Sequence, residues 1–196
     1  MSLHPSHFVL LFLLNLVTAS SLGVALAIHH GRVMDKEPQV VVHHERSQTL
    51  TFFKILILKP DLDYALAKEI AGIVDEAARD FDRDPDFIIS IMSVESRFNP
   101  EAVSSAGAVG LMQVMPHWSK LFGHEGENLH DKRINVRRGL QIYNSYEQML
   151  KDPELALTAY NRGSWKVEED LRMERDPRNG YAGDVLKVYE KLKQLR

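Results

Sequence analysis

From Asp61 to the C-terminus the apolar residues recur three and four apart, and that spacing confines this part of the chain to packed helices. Leu62, Leu66, Ile70, Ile73, Ala77 and Phe81 form one such stripe along a single helix face. Asp84-Pro85 reads as an N-cap followed by proline in the first helical position. The helix it opens carries Phe87 to Met92 and reaches Glu95 before Asn99-Pro100 stops it. A loop rich in Ser, Ala and Gly follows from Ser104 to Gly110, then a short helix is expected from about Leu111. Asn135 reads as the cap of a helix from Val136 to about Lys151, with Ile142, Tyr146, Met149 and Leu150 facing inward. Asp152-Pro153 ends that helix and opens another through Tyr160. A last helix aligns Tyr181, Val185, Val188, Leu192 and Leu195, with Lys187, Lys191, Lys193 and Arg196 toward the negative end of its dipole. Residues 61–196 are therefore read as one all-α domain.

The remainder is organised differently. Phe8 to Ile28 holds no charged residue. Its 21 residues, at about 1.5 Å each, just span a hydrocarbon core of roughly 30 Å. It reads either as a signal peptide cleaved near Ala25-Leu26-Ala27 or as a retained membrane anchor; both readings of residues 1–28 place the domain outside the cytoplasm. Residues 29–60 read as a polar connector interrupted by Val40-Val41-Val42 and by Phe52 to Leu58, the latter a short strand or a helix packed on the domain. The 196 residues include no cysteine, which removes disulfides, thiolate metal sites, a cysteine nucleophile and a lipid-modified N-terminal cysteine. The net charge of −3 argues against a nucleic-acid partner. His29-His30 and His43-His44 are adjacent pairs rather than one helical turn apart, so no metal site is expected.

Glu95 is the residue with a chemical signature. It lies four residues after Ile91 and eight after Phe87, on one face of one helix. A carboxyl at the end of an apolar line is partly desolvated, its pKa rises, and it stays protonated toward neutral pH. That is what a general acid needs. The same spacing is also compatible with a carboxylate paired to Arg97 or capping a neighbouring loop.

The surroundings of Glu95 narrow the choice. Glu95-Ser96-Arg97-Phe98-Asn99-Pro100 is followed by Ala102-Val103-Ser104, then by Gly107-Ala108-Val109-Gly110-Leu111-Met112-Gln113-Val114-Met115-Pro116. Ala159-Tyr160-Asn161-Arg162-Gly163 comes later. Singly, the glycines read as turn residues and Met112, Met115 and Tyr160 as core. In this joint register they resemble the catalytic domain of the soluble-type (SLT) lytic transglycosylases, which have a goose-lysozyme-like fold. The resemblance covers about residues 65–195, with Asn135 and Gly139 similar to the family's Asn-x-x-x-Gly helix and Arg178 to Tyr189 to its closing region. It implies that Glu95 is the sole catalytic acid and that Ser104 lies near it. It further implies that Gln113 and Met115 line a glycan groove, that Tyr160 and Asn161 orient the reacting sugar, and that Tyr181 is a groove tyrosine. Three positions depart from the pattern: His117-Trp118 where a threonine is common, Arg162 before Gly163, and Pro177-Arg178 where a threonine stands near the end. None touches the acid.

The activity implied is non-hydrolytic cleavage of peptidoglycan glycan strands to 1,6-anhydro-N-acetylmuramic ends, without a cofactor. Hydrolysis by the same fold and non-catalytic peptidoglycan binding are the rival readings. Attachment to the inner membrane through residues 8–28 and service to a secretion or cell-wall apparatus fit the layout, though no residue names such a machine.

Overall fold

A computed structural model describes residues 37–195, with side chains described from Ser47 onward. The apolar run 8–28 and both histidine pairs lie outside those side chains. The chain divides into two compact units, residues 1–43 and 44–196. The second holds every site residue and is the one considered below.

Eight helices are described: α1 Glu37–Leu58, α2 Tyr64–Asp80, α3 Pro85–Glu95, α4 Pro116–Leu121, α5 Lys132–Leu150, α6 Pro153–Arg162, α7 Ser164–Arg172 and α8 Tyr181–Lys193. No strand forms among the described residues; Val109 makes isolated bridges to Val103 and Val114. The domain is all-α, as its periodicity predicts.

Aspartates start four of the eight described helices. Asp63 accepts the Leu66 amide, Asp84 the Asp86 amide, Asp131 those of Arg133 and Ile134, and Asp152 those of Glu154 and Leu155. Pro85 and Pro153 occupy first-turn positions, where a missing N–H has no consequence. Asn135 is thus not the cap expected of it. Asp131 begins α5 one turn earlier, and Asn135 is buried in the first turn with its side chain committed to a loop. The short helix begins at Pro116 rather than near Leu111, because residues 111–113 form a turn. Helix α7 was not foreseen, and Met149 and Leu195 are exposed rather than inward.

Helix α3 is central. Ile88, Ile89, Ile91 and Met92 are fully buried, with α2 on one side and α8 on another. Helix α5 packs on α2 and α6, and α6 packs on α7 and α8. The segment Phe52 to Leu58 is helical: it is the last part of α1, and Thr51, Lys54 and Ile55 are buried in the same unit as α3. Lys54 donates to both carboxylate oxygens of Asp86, at 2.9 and 2.7 Å, and both side chains are almost wholly buried. The segment expected as connector is thereby tied through Lys54 to the start of α3.

Candidate active site

Helix α3 delivers Glu95 in its last turn, and the chain then makes a tight reversal. Arg97 and Phe98 both have positive φ, 51° and 63°, an uncommon conformation for residues with side chains. Burial of Phe98 in the core helps hold that backbone. Ser96 donates to the Leu111 carbonyl at 2.8 Å, tying the end of α3 to the far side of the following loop.

That loop, residues 96–115, is built from its own polar atoms. The Ser104 hydroxyl accepts the Ala108 amide at 3.0 Å, and its amide donates to the Ala108 carbonyl at 2.9 Å. Gln113, at φ 49°, donates through Nε2 to the carbonyls of Ala102 and Gly110 at 3.2 and 3.0 Å. Gly110 needs its φ of 78° and also its missing side chain, since a Cβ there would lie 2.4 Å from Asn135 Nδ2. Asn135 itself accepts the Met112 amide at 2.8 Å and donates to the carbonyls of Val109 and Leu129 at 2.7 and 2.9 Å. One turn further on, a Cβ at Gly139 would meet the Met112 side chain within 2.7 Å. The Asn-x-x-x-Gly pattern is therefore a seat for the loop: the asparagine grips its backbone and the glycine leaves room for Met112.

Three tyrosines from three helices gather near Glu95 and this loop. Tyr181, first residue of α8, donates its hydroxyl to Glu95 Oε1 at 2.5 Å. Tyr160 of α6 donates to the Met112 carbonyl at 2.7 Å. Tyr146 of α5 has Ser164 at its hydroxyl. Burial raises all three phenols above their ordinary pKa, and the charge of Glu95 adds to the rise at Tyr160 and Tyr181, so these hydroxyls remain donors.

Glu95 is pushed up to about 6 by desolvation, with the Tyr181 hydrogen bond pulling the other way. Among the described residues Tyr181 is the side chain that hydrogen-bonds it, and Arg97 is exposed. The pairing with Arg97 that spacing alone left open does not form. With Tyr181 on Oε1, the proton of the neutral acid is left to Oε2, which can be turned toward a ligand.

The structure brings Glu95, Tyr160 and Tyr181 together. Ser104 and Gln113 are partly exposed and engaged in loop hydrogen bonds, though the Ser104 hydroxyl, accepting from Ala108, still has its hydrogen to donate. Met115 is the half-buried residue before α4. Asn161 is exposed and accepts from Asn179 at 2.7 Å. Tyr146, read from the sequence as core, joins the tyrosine group; its place in an apolar stripe hid that. Trp118, where the family usually has threonine, stacks on Phe122 at 5.6 Å and meets Tyr146 edge-on at 5.7 Å.

An all-α domain with a half-buried, raised-pKa carboxyl braced by a tyrosine has the outline of a general-acid site. The chain belongs to the transglycosylase SLT domain family, whose profile matches residues 72–180. It is 35% identical over 122 residues to membrane-bound lytic murein transglycosylase C of Mannheimia succiniciproducens, covering 52% of this chain and 33% of that one. It is 34% identical over 118 residues to the protein of the same name in Salmonella arizonae, with the same coverage. The chain thus spans about one third of the length of these relatives. Among solved structures it is similar to an inactive mutant of lytic transglycosylase Slt from Pseudomonas aeruginosa, with TM-score 0.54, 25% identity, and 63% of this chain and 24% of that one covered. It shares its fold with the 70 kDa soluble lytic transglycosylase of Escherichia coli, at TM-score 0.56 and 19% identity over 78% of this chain and 30% of that one.

Proposed function

We propose that this chain is a peptidoglycan lytic transglycosylase that cleaves the β-1,4 bond between N-acetylmuramic acid and N-acetylglucosamine, with Glu95 as both acid and base. The observation that carries the reading is the Glu95 carboxyl, raised to about 6 and, among the described residues, influenced by burial and by the Tyr181 hydrogen bond with no second carboxylate acting on it. Most glycosidases need a second carboxylate to attack or to activate water. Here Glu95 Oε2 gives its proton to the glycosidic oxygen as the C–O bond breaks. The acetamide of the substrate stabilises the developing cation. The Glu95 carboxylate, steadied by the Tyr181 hydroxyl, then takes the proton of the muramic C6 hydroxyl as that oxygen closes on C1. The acid is regenerated and no water is consumed. A pKa near 6 suits a group that must serve first as acid and then as base.

Ser104, Gln113, Met115, Tyr160 and Asn161 are assigned to the glycan-binding side of the site. The similarity to membrane-bound relatives supports an envelope location, with residues 8–28 as anchor or cleaved signal and with 61–196, together with the end of α1 buried in the same unit, carrying the catalytic fold. Cell fractionation and sequencing of the mature N-terminus separate anchor from signal.

Glu95→Gln is expected to abolish solubilisation of purified sacculi, and mass spectrometry of the wild-type digest to find fragments one water lighter than hydrolytic ones. Unchanged solubilisation by Glu95→Gln would overturn the catalytic reading and leave a binding protein. Hydrolytic ends alone would make the chain a muramidase.

A further inference from the structure

Residues 173–180 join α7 to α8 and determine where Tyr181 begins. Among the described residues they contain no helix, and they end at Gly180 with φ 89°. Four ties hold them to the preceding helices, the fourth being Arg175 on Asp170. Arg178 pairs with Glu154 at 3.3 Å, but both side chains are more than two-fifths exposed, so that pair contributes little. Asn179 donates to exposed Asn161 at 2.7 Å and accepts the Tyr181 amide at 3.3 Å. The third tie is the least exposed. Arg162, at the end of α6, donates through Nη1 to the carbonyl of buried Pro177 and through Nη2 to Asp170 Oδ2 at 3.0 Å. Asp170 is largely buried, and its other oxygen takes Arg175 at 2.9 Å. Its carbonyl also takes the Arg175 amide at 2.8 Å.

We propose that Arg162 is a positioning residue for the acid. By gripping Pro177 and Asp170 at once, it fixes the connection into α8 and so keeps the Tyr181 hydroxyl on Glu95. The planar guanidinium suits this, because one group reaches two acceptors in a fixed fork that a lysine ammonium reproduces poorly. The inference rests on Glu95 being the acid of the proposed reaction. It gives the departure from the family's pattern at this position a role in the architecture of the acid.

The consequence is read at Glu95. The groups facing it are Tyr181 from α8 and Tyr160 from α6, with Tyr146 of α5 behind Tyr160. Those facing Arg162 are Asp170 and Arg175. Loss of the Tyr181 donor removes the one influence that holds the Glu95 titration down.

The test is the titration of Glu95 followed by carboxyl 13C NMR on the full chain, assigned with Glu95→Gln and needing no activity. Arg162→Met is expected to raise the midpoint by about half a unit to one unit, as loss of one hydrogen bond to a carboxylate does. Arg162→Lys is expected to give a smaller rise. Tyr181→Phe alone is expected to produce the full rise, and the double variant no more than Tyr181→Phe. An unchanged midpoint in Arg162→Met, or additive shifts in the double variant, overturns the proposal. If Arg162→Met does not melt cooperatively, Arg162→Lys carries the comparison. If neither folds, Arg162 is a stability residue only and the proposal falls. Should the midpoints move as expected while wild-type protein leaves sacculi intact, the enzymatic reading fails and the positioning role stands.

Discussion

Glu95 is neutral more readily in the folded chain than in the unfolded one, and this has a cost at neutral pH. Its pKa rises from 4.5 to about 6 on folding. A raised carboxyl favours the fold while protonated, and that contribution is lost as pH climbs through the folded value. The span corresponds to about 2 kcal/mol. Glu95→Gln removes the titrating group, so it is expected to match the wild type near pH 4 and to exceed its stability by up to about 2 kcal/mol above pH 7; urea melts at both pH values check this. Tyr181→Phe acts in the other direction on the chemistry. Without its donor the carboxyl titrates higher, so the alkaline limb of the sacculus-digestion profile is expected to move up by roughly half a unit to one unit. The raised acid was legible in the sequence, because Phe87, Ile91 and Glu95 share a local period. The identity of its brace was not, since the family resemblance implied only that Tyr181 is a groove tyrosine. Tyr181 lies 86 residues away in sequence, and no local spacing reports a contact of that length.

Between residue and fold, the seat that α5 makes for the loop after Glu95 is the element that keeps the site in shape. Asn135 satisfies three buried or half-buried backbone groups at once. Asn135→Ala leaves them without partners and is expected to cost about 2–4 kcal/mol, read as a lower denaturant midpoint with unchanged slope. The sequence showed the Asn-x-x-x-Gly pattern but misplaced its purpose. Asparagine is a good N-cap on intrinsic grounds, yet Asp131 stands one turn earlier and takes that place. Asp84 and Asp152 were legible as caps because a proline follows each and leaves little choice. Helix α7 was not legible, since Ser164-Trp165-Lys166 opens it with no apolar stripe and Val167 is its one fully buried apolar residue.

At the scale of the molecule, the folded unit reaches further toward the N-terminus than its apolar period suggested. The pattern before Asp61 is broken by His43-His44-Glu45-Arg46, and Lys54 looks like a surface residue until its partner is known. That partner, Asp86, sits at the start of the helix that ends in Glu95. Removing one member of a buried pair leaves the other charged and uncompensated. Lys54→Met is therefore expected to destabilise the chain by about 3–5 kcal/mol, while a combined Lys54→Met and Asp86→Leu variant recovers much of the loss. Thermal melts of both variants test whether α1 is part of the domain's structure or merely leads to it.

The contact between Tyr181 and Glu95 joins the first residue of the last helix to the end of the third. Chain synthesis runs from the other end, so the acid emerges long before its brace. A nascent chain has the carboxyl before it has the tyrosine. The carboxyl thus gains its donor only once α8 has docked, and on the proposed function activity would wait on that step.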